Sequence, residues 1–419
     1  MRLPISTLLW FAALTAPLPA LAAPAQEPAG KADASLDVEI TRLEPAREHV
    51  LQAIEKNRYR GAVALVERAG ERELTLAAGE GRPGEAMEVD AIFRIYSMTK
   101  PITAVAALIL VDEEKLALDA PVSRYLPELE DLEVLVETPY TKSKIALERV
   151  ACARPMTVRD LLTHTSGLTY GFFDRTEADR LMLEANVLGA GVTGETMIER
   201  LATVPLKHQP GTRFEYGVSS DVLGRVVEVV SEKPLDEFFE ERIFGPLGMV
   251  DTGFTVPEAK RDRVAACHVR GLLGLRRASR REALDPKETP TFLSGGGGLF
   301  STADDYLRFC NMLLGDGALG DVRILKEETA RAMMSDQLDG KPAPMLALSG
   351  GAFGYGLAVH DVTRRRGPKK GTVWWGGFAG TGFWVDRDSR AVGVFMIQTM
   401  NENQHSHAFR SAVYRAMGR

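Results

Sequence analysis

Ser97 and Lys100 stand three residues apart in the stretch Phe93-Arg94-Ile95-Tyr96-Ser97-Met98-Thr99-Lys100-Pro101. If a helix begins at or just before Ser97, the hydroxyl and the amine share one face, one turn apart. Pro101 suits such a boundary, because a first-turn residue has no use for the N–H that proline lacks. Beyond it, Ile102, Val105, Ala106, Leu108, Ile109 and Leu110 are apolar nearly all round, which predicts a helix enclosed by protein and ending near Glu114. A serine at the head of that helix feels the positive end of the macrodipole, and the free N–H groups there can face a developing oxyanion. The spacing therefore points to nucleophilic catalysis. A capping serine beside a solvated lysine has the same spacing, but it does not explain a lysine that opens an apolar helix.

Other stretches must come to that helix if the pair is to work. Pro210-Gly211-Thr212-Arg213-Phe214-Glu215-Tyr216-Gly217-Val218 presents Tyr216 on a turn. Ser219 or Ser220 is then expected to cap a helix with Val222, Leu223, Val226, Val227 and Val230 on its buried face, stopped by Pro234. A tyrosine in such a place usually packs, and only proximity to Ser97 would make it chemical. Residues 156–162 read as a short capped helix running into Thr163-His164-Thr165-Ser166-Gly167, where His164 is expected to close the helix rather than act as a base. Ser294-Gly295-Gly296-Gly297-Gly298 lacks the following lysine of a phosphate loop, so close backbone packing is expected there, followed by a capped helix over 303–314. No serine lies in a G-x-S-x-G setting, which disfavours the nucleophile-elbow hydrolases.

The flanks supply a scaffold. An amphipathic helix is predicted over 38–57, and Gly61-Ala62-Val63-Ala64-Leu65-Val66-Glu67 with Glu73-Leu74-Thr75-Leu76-Ala77-Ala78 reads as a hairpin around Ala69-Gly70. Strand patterns recur at 354–362, 371–375, 382–386 and 391–399, before a closing helix over 405–417. One antiparallel sheet built from both ends of the chain follows, giving an α/β (α+β) domain from 36–125 and 290–419 with a mostly helical insertion at 126–289.

Composition bounds the function. The 419 residues can bury a large core, and a net charge of -6 leaves no basic footprint for nucleic acid. Arg364-Arg365-Arg366-Gly367-Pro368-Lys369-Lys370 reads as a solvated hairpin tip. Arg2, the apolar run Leu8-Leu9-Trp10-Phe11-Ala12-Ala13-Leu14 and Ala20-Leu21-Ala22 form a secretory signal over 1–22 with cleavage near Ala22, and a Pro/Ala-rich linker follows at 23–35. A periplasmic or secreted protein without a stable membrane anchor is expected. Cys152, Cys267 and Cys310 are too few and scattered for a disulfide framework and read as small buried side chains. The seven histidines show no metal-ligand spacing, so neither metal nor cofactor is expected.

Taken together, these stretches resemble the serine beta-lactamase and penicillin-binding protein superfamily across nearly all of the expected mature chain. Ser97-Met98-Thr99-Lys100 is similar to its S-x-x-K motif, Tyr216-Gly217-Val218 stands in the place of Y-x-N, and Trp375-Gly376-Gly377 in that of K-T-G. The phrases Thr163-His164-Thr165-Ser166-Gly167-Leu168 and Asp221-Val222-Leu223-Gly224 resemble the branch holding class C beta-lactamases and family VIII carboxylesterases. The resemblance implies a beta-lactamase/transpeptidase-like fold, with an antiparallel sheet flanked by helices. Two departures set the expected substrate. Val218 removes a side-chain amide, and Trp375 replaces a cation suited to a carboxylate with a bulky ring, which favours neutral esters over beta-lactams.

By that resemblance Ser97 attacks an ester carbonyl to give an acyl-enzyme, with Lys100 and Tyr216 as the candidate bases and the sequence leaving open which one dominates. Backbone N–H groups of Ser97 and Phe378 are expected to form the oxyanion hole, and Trp375, Gly376, Gly377, Val218 and Tyr170 to border a small ester or amide substrate. A beta-lactamase or D-alanyl-D-alanine peptidase is the first alternative. A catalytically silent sensor of the same fold is the second.

Overall fold

Alternation along the strand Gly61–Arg68 sets the layering. Val63 and Leu65 enter the larger core while Ala62, Ala64 and Val66 enter a second one, so both faces of this strand are covered. The strand Ala391–Met396 alternates in the same way, with Val392, Val394 and Met396 in the larger core and Phe395 in the smaller. In this computed structural model, the described residues are 42–141, 144–272, 274–279, 282–349, 351–363, 367–402 and 404–418. The expected signal, the linker, the first residues of the helix predicted from 38 and the arginines at 364–366 lie outside them.

The central sheet has eight strands, each antiparallel to its neighbours. From one edge they run Ala352–Phe353, Ala358–Val359, Val373–Gly376, Gly382–Asp386, Ala391–Met396, Gly61–Arg68, Glu71–Arg82 and Glu85–Ala86. Both ends of the chain therefore meet in its middle, where Val63 pairs with Met396 and Leu65 with Val394. Helices Glu44–Glu55 and Gln404–Ala416 cover one face. The other face meets helix Ala303–Leu314, whose Thr302 cap accepts a hydrogen bond from Asp305 N–H.

The helix that follows Ser97 is Thr99–Asp112, and every residue from Thr99 to Leu110 is buried. A tight three-residue turn, Tyr96–Met98, precedes it, so Ser97 sits just ahead of the α-helix, with Pro101 in the first turn. The glycine-rich segment clamps this start. Thr103 donates to Gly295 O at 2.7 Å, Thr99 Oγ1 accepts from Leu299 N–H at 3.2 Å, and Tyr306 donates to Met98 O at 2.8 Å.

Within 126–289 the helices Val158–Leu162, Glu177–Ala185, Gly194–Leu201, Ser219–Ser231 and Leu235–Phe239 are joined by two hairpins that the helical reading had not anticipated. These pair Glu133–Thr141 with Lys144–Ala151, and His268–Gly271 with Gly274–Arg277. The expected serine cap is also corrected. Val218 holds the N-cap position of Ser219–Ser231 without a side-chain bond, while Ser219 is hydrogen-bonded to Ser166 at 2.8 Å and Ser220 faces His164 Nε2 at 3.5 Å. Cys267 and Cys310 are buried, but Cys152 is only partly so.

Candidate active site

Ser97 is half-buried, whereas its neighbours Tyr96 and Met98 are buried. Tyr96, immediately before Ser97, carries a φ of 43°, a strained value for an aromatic residue. One turn on, Lys100 is fully buried. Its Nζ lies 2.7 Å from Gly296 O, 2.8 Å from Tyr170 Oη and 3.4 Å from Ser97 Oγ. It also stands 4.8 Å from the centre of the Tyr216 ring and 5.2 Å from that of Tyr170. The three oxygens match the three donors of an ammonium; a neutral amine could bond Gly296 O and Tyr170 Oη and still accept the Ser97 proton.

Tyr216 reaches this cluster because Gly217 permits close contact with the Leu168–Thr169 backbone. A Cβ there would stand 2.2 Å from Leu168 O. The Tyr170 and Tyr216 rings meet edge to face at 5.5 Å. Tyr170, expected to border the substrate, is half-buried and accepts a hydrogen bond from Lys100. Desolvation of its hydroxyl, reinforced by Asp221 and Tyr216, holds its pKa well above the ordinary phenol range, so Tyr170 is a neutral phenol at pH 7. His164 follows helix Val158–Leu162 in the left-handed conformation, as a helix-closing residue would, and is wholly buried against Phe214, Tyr216 and Phe353. Burial, and then the charge of Lys100, keeps its imidazole neutral.

Trp375 ends up as a buried wall, its ring 5.5 Å from Tyr216 and 5.4 Å from Phe353. Val218, expected to border the substrate, is fully buried in the larger core. Gly376 ends the Trp375 strand, and Gly377 lies so near the turn that carries Ser97 that a Cβ would stand 2.2 Å from Ile95 O. Phe378 is thereby carried beside the turn Tyr96–Met98, with its ring 5.8 Å from that of Tyr96.

Several groups here escaped the sequence reading. Phe172 and Phe173, 41% and 47% exposed, continue an aromatic rim from Tyr170, with Phe172 stacked on Tyr170 at 5.2 Å and Phe173 5.6 Å from Tyr216. The run Tyr170-Gly171-Phe172-Phe173 was the available signal. Gly296 and Asp221 were missed because their role depends on a contact between segments 75 residues apart. A cavity of about 960 Å³ lies elsewhere, lined by residues such as Arg225, Glu228, Glu240, Phe254 and Lys260; Ser97, Lys100 and Tyr216 do not border it. Chemistry and not volume therefore locates the site. Among the described residues no His/Cys/Asp/Glu group is arranged to hold a metal ion, and no helix is long and apolar enough to cross a membrane.

Comparison with known proteins identifies the family and the fold. The family model described as Beta-lactamase matches residues 46–414. Esterase EstB of Burkholderia gladioli is 32% identical over 389 residues, covering 87% of this chain and 93% of that protein. An uncharacterized protein of Mycobacterium tuberculosis is 40% identical over 328 residues, covering 75% and 79%. Among solved structures, EstCE1, described as a hydrolase with promiscuous acyltransferase activity, superposes with a TM-score of 0.74 at 27% identity, covering 89% of this chain and 98% of its own.

Proposed function

From the premise that this chain belongs to the beta-lactamase family, we propose that it is a serine hydrolase cleaving small carboxylic esters through an acyl-enzyme on Ser97. The carrying observation is the placement of Ser97 Oγ 3.4 Å from the fully buried Nζ of Lys100. Ser97 Oγ bonds to the ester carbonyl carbon while its proton passes to Lys100, directly or through Tyr216. The carbonyl π electrons move to oxygen, where backbone N–H groups of Ser97 and Phe378 receive the charge. Collapse expels the alcohol, which takes up the proton, and water repeats the sequence in reverse to free the acid and Ser97. Similarity to Esterase EstB supports the ester reading, and the apolar rim of Phe172, Phe173, Tyr216 and Trp375 suits an ester with an apolar acyl or alcohol part.

The test is a parallel initial-rate assay on a short-chain aryl ester and a chromogenic cephalosporin, with the Ser97→Ala variant alongside. Ester turnover far above lactam turnover, abolished by the substitution, is expected. Dominant lactam turnover would move the assignment to the lactamase or peptidase alternative, and no Ser97-dependent turnover of either would favour the silent sensor. An alcohol acceptor added to the ester reaction tests whether this chain shares the acyl transfer in the description of EstCE1. Export is proposed from the first 22 residues. An N-terminus beginning just after Ala22 in the periplasmic or secreted protein would support it, and a retained Met1 would oppose it.

A further inference from the structure

Asp221 is a buried carboxylate that the acyl-enzyme scheme leaves unused. It sits in the first turn of helix Ser219–Ser231, five residues after Tyr216. Its Oδ1 accepts from Ser294 Oγ at 2.6 Å and from Gly296 N–H at 3.1 Å, while Oδ2 has no hydrogen-bond partner among the described residues. The next peptide along, through Gly296 O, accepts from Lys100. Gly296 is thus held by the carboxylate on one side and the amine on the other. A Cβ on Gly296 would stand 2.3 Å from Asp221 Oδ2, so only glycine allows the approach. A buried acid and a buried amine thus share one glycine, and substituting either changes the electrostatic surroundings of the other.

Resting on the assignment of Ser97 as nucleophile, we propose that Asp221 is a positioning residue: through Gly296 it orients Lys100, and its negative charge sets the pH at which Ser97 can give up its proton. The groups facing this pair are Tyr170 from the loop after Leu168, Tyr216 ahead of the helix, His164 and Ser294. Tyr170 is a neutral phenol and His164 a neutral imidazole at pH 7, so neither substitutes for Asp221 as counter-charge. Burial pushes the Asp221 carboxyl above the ordinary range, and the neighbouring Lys100 is the first influence that holds it back.

The experiment follows covalent labelling of Ser97 by an aryl fluorophosphonate across pH. Ser97 Oγ bonds to phosphorus, the P–F bond breaks, fluoride leaves with its electron pair, and the hydroxyl proton passes to the base. The readout therefore needs no knowledge of the natural ester. Asp221→Asn keeps the shape and an acceptor for Ser294 and Gly296 but removes the charge. Its labelling profile should rise at lower pH than that of the parent, by about one unit. Ser294→Ala withdraws one donor from the carboxylate, makes the charge harder to hold, and should move the rise in the same direction by less. Profiles unmoved in both, or rates lowered by one factor at every pH, would overturn the proposal. If Asp221→Asn does not fold, the Ser294→Ala profile decides alone. Labelling that survives Ser97→Ala would overturn the nucleophile assignment itself, a failure distinct from an unmoved Asp221→Asn profile.

Discussion

At Lys100 the division of labour between two tyrosines becomes testable. Tyr170 Oη is 2.8 Å from the amine, but its hydroxyl is held protonated by burial and by the neighbouring Asp221. Such a phenol orients the amine without taking a proton from it. Tyr216 is half-buried and offers its ring face to Lys100, which leaves its hydroxyl the better placed of the two to meet a substrate or leaving group. Tyr216→Phe should therefore lower the acylation rate by about 10²- to 10⁴-fold, the range for loss of a general acid or base. Tyr170→Phe keeps the ring and loses one hydrogen bond, so its cost should be about tenfold. Lys100→Met should be at least as severe as Tyr216→Phe. Pre-steady-state bursts of aryl alcohol from the three variants separate these effects, and a Tyr170→Phe loss matching that of Tyr216→Phe would hand the proton-transfer role to Tyr170.

The two tyrosine-bearing segments are tied by one lysine. Lys207 Nζ, with only 6% of its side chain exposed, lies 2.6 Å from Asp174, 2.8 Å from Glu215 and 3.4 Å from Asp179. Glu215 directly precedes Tyr216, and Asp179 accepts at 2.7 Å from Thr169, which directly precedes Tyr170. Lys207→Met would leave the buried Asp179 and Glu215 without their cation while Asp174 stays solvated, so a loss of about 3 kcal/mol is expected in urea unfolding. Residual activity should fall in kcat more than in KM, because the base cluster loses its alignment. A Gly377→Ala substitution tests the other wall of the site: its Cβ would press on Ile95 O at 2.2 Å and Thr381 Oγ1 at 2.3 Å. Slowed acylation with a well-folded protein is expected, and an unchanged acylation rate would remove the Phe378 turn from the oxyanion role. These ties explain what the sequence could display. Helix Ala303–Leu314 was legible over its whole length, because Thr302 caps it and its periodicity is local. The S-x-x-K pair was legible because both members lie on one turn. Lys207, Asp221 and Gly296 were not, since each draws its meaning from partners brought near by the fold. The hairpin at 268–277 was equally hidden, its strands being short and mostly polar or exposed.

Across the whole molecule, partly and fully buried histidines link stability to pH. His407 packs against Trp374 at 4.6 Å beside Arg410, and burial, then the Arg410 charge, lowers its pKa to about 4. In the unfolded chain it titrates near 6.5, so acid protonates the unfolded form first. Its contribution is complete above about pH 6.5 and is lost as pH falls toward 4, amounting to about 2 kcal/mol by pH 5. His49, His164, His268 and His405 are shifted in the same direction, each chiefly by burial. Asp221 and Asp305 oppose the trend, since burial raises their carboxyl pKa values and protonation relieves them. Four further histidines act with His407 against those two acids, and the unfolded histidines already bind protons near pH 6.5, so the melting temperature should fall between pH 7.5 and 5. His407→Phe retains an aromatic ring against Trp374 and removes the titration. Its melting temperature should change less over that interval than that of the parent. Equal slopes would mean that the imidazole accepts its proton in the native fold as readily as in the unfolded chain, and the acid sensitivity would then have to come from the other four histidines.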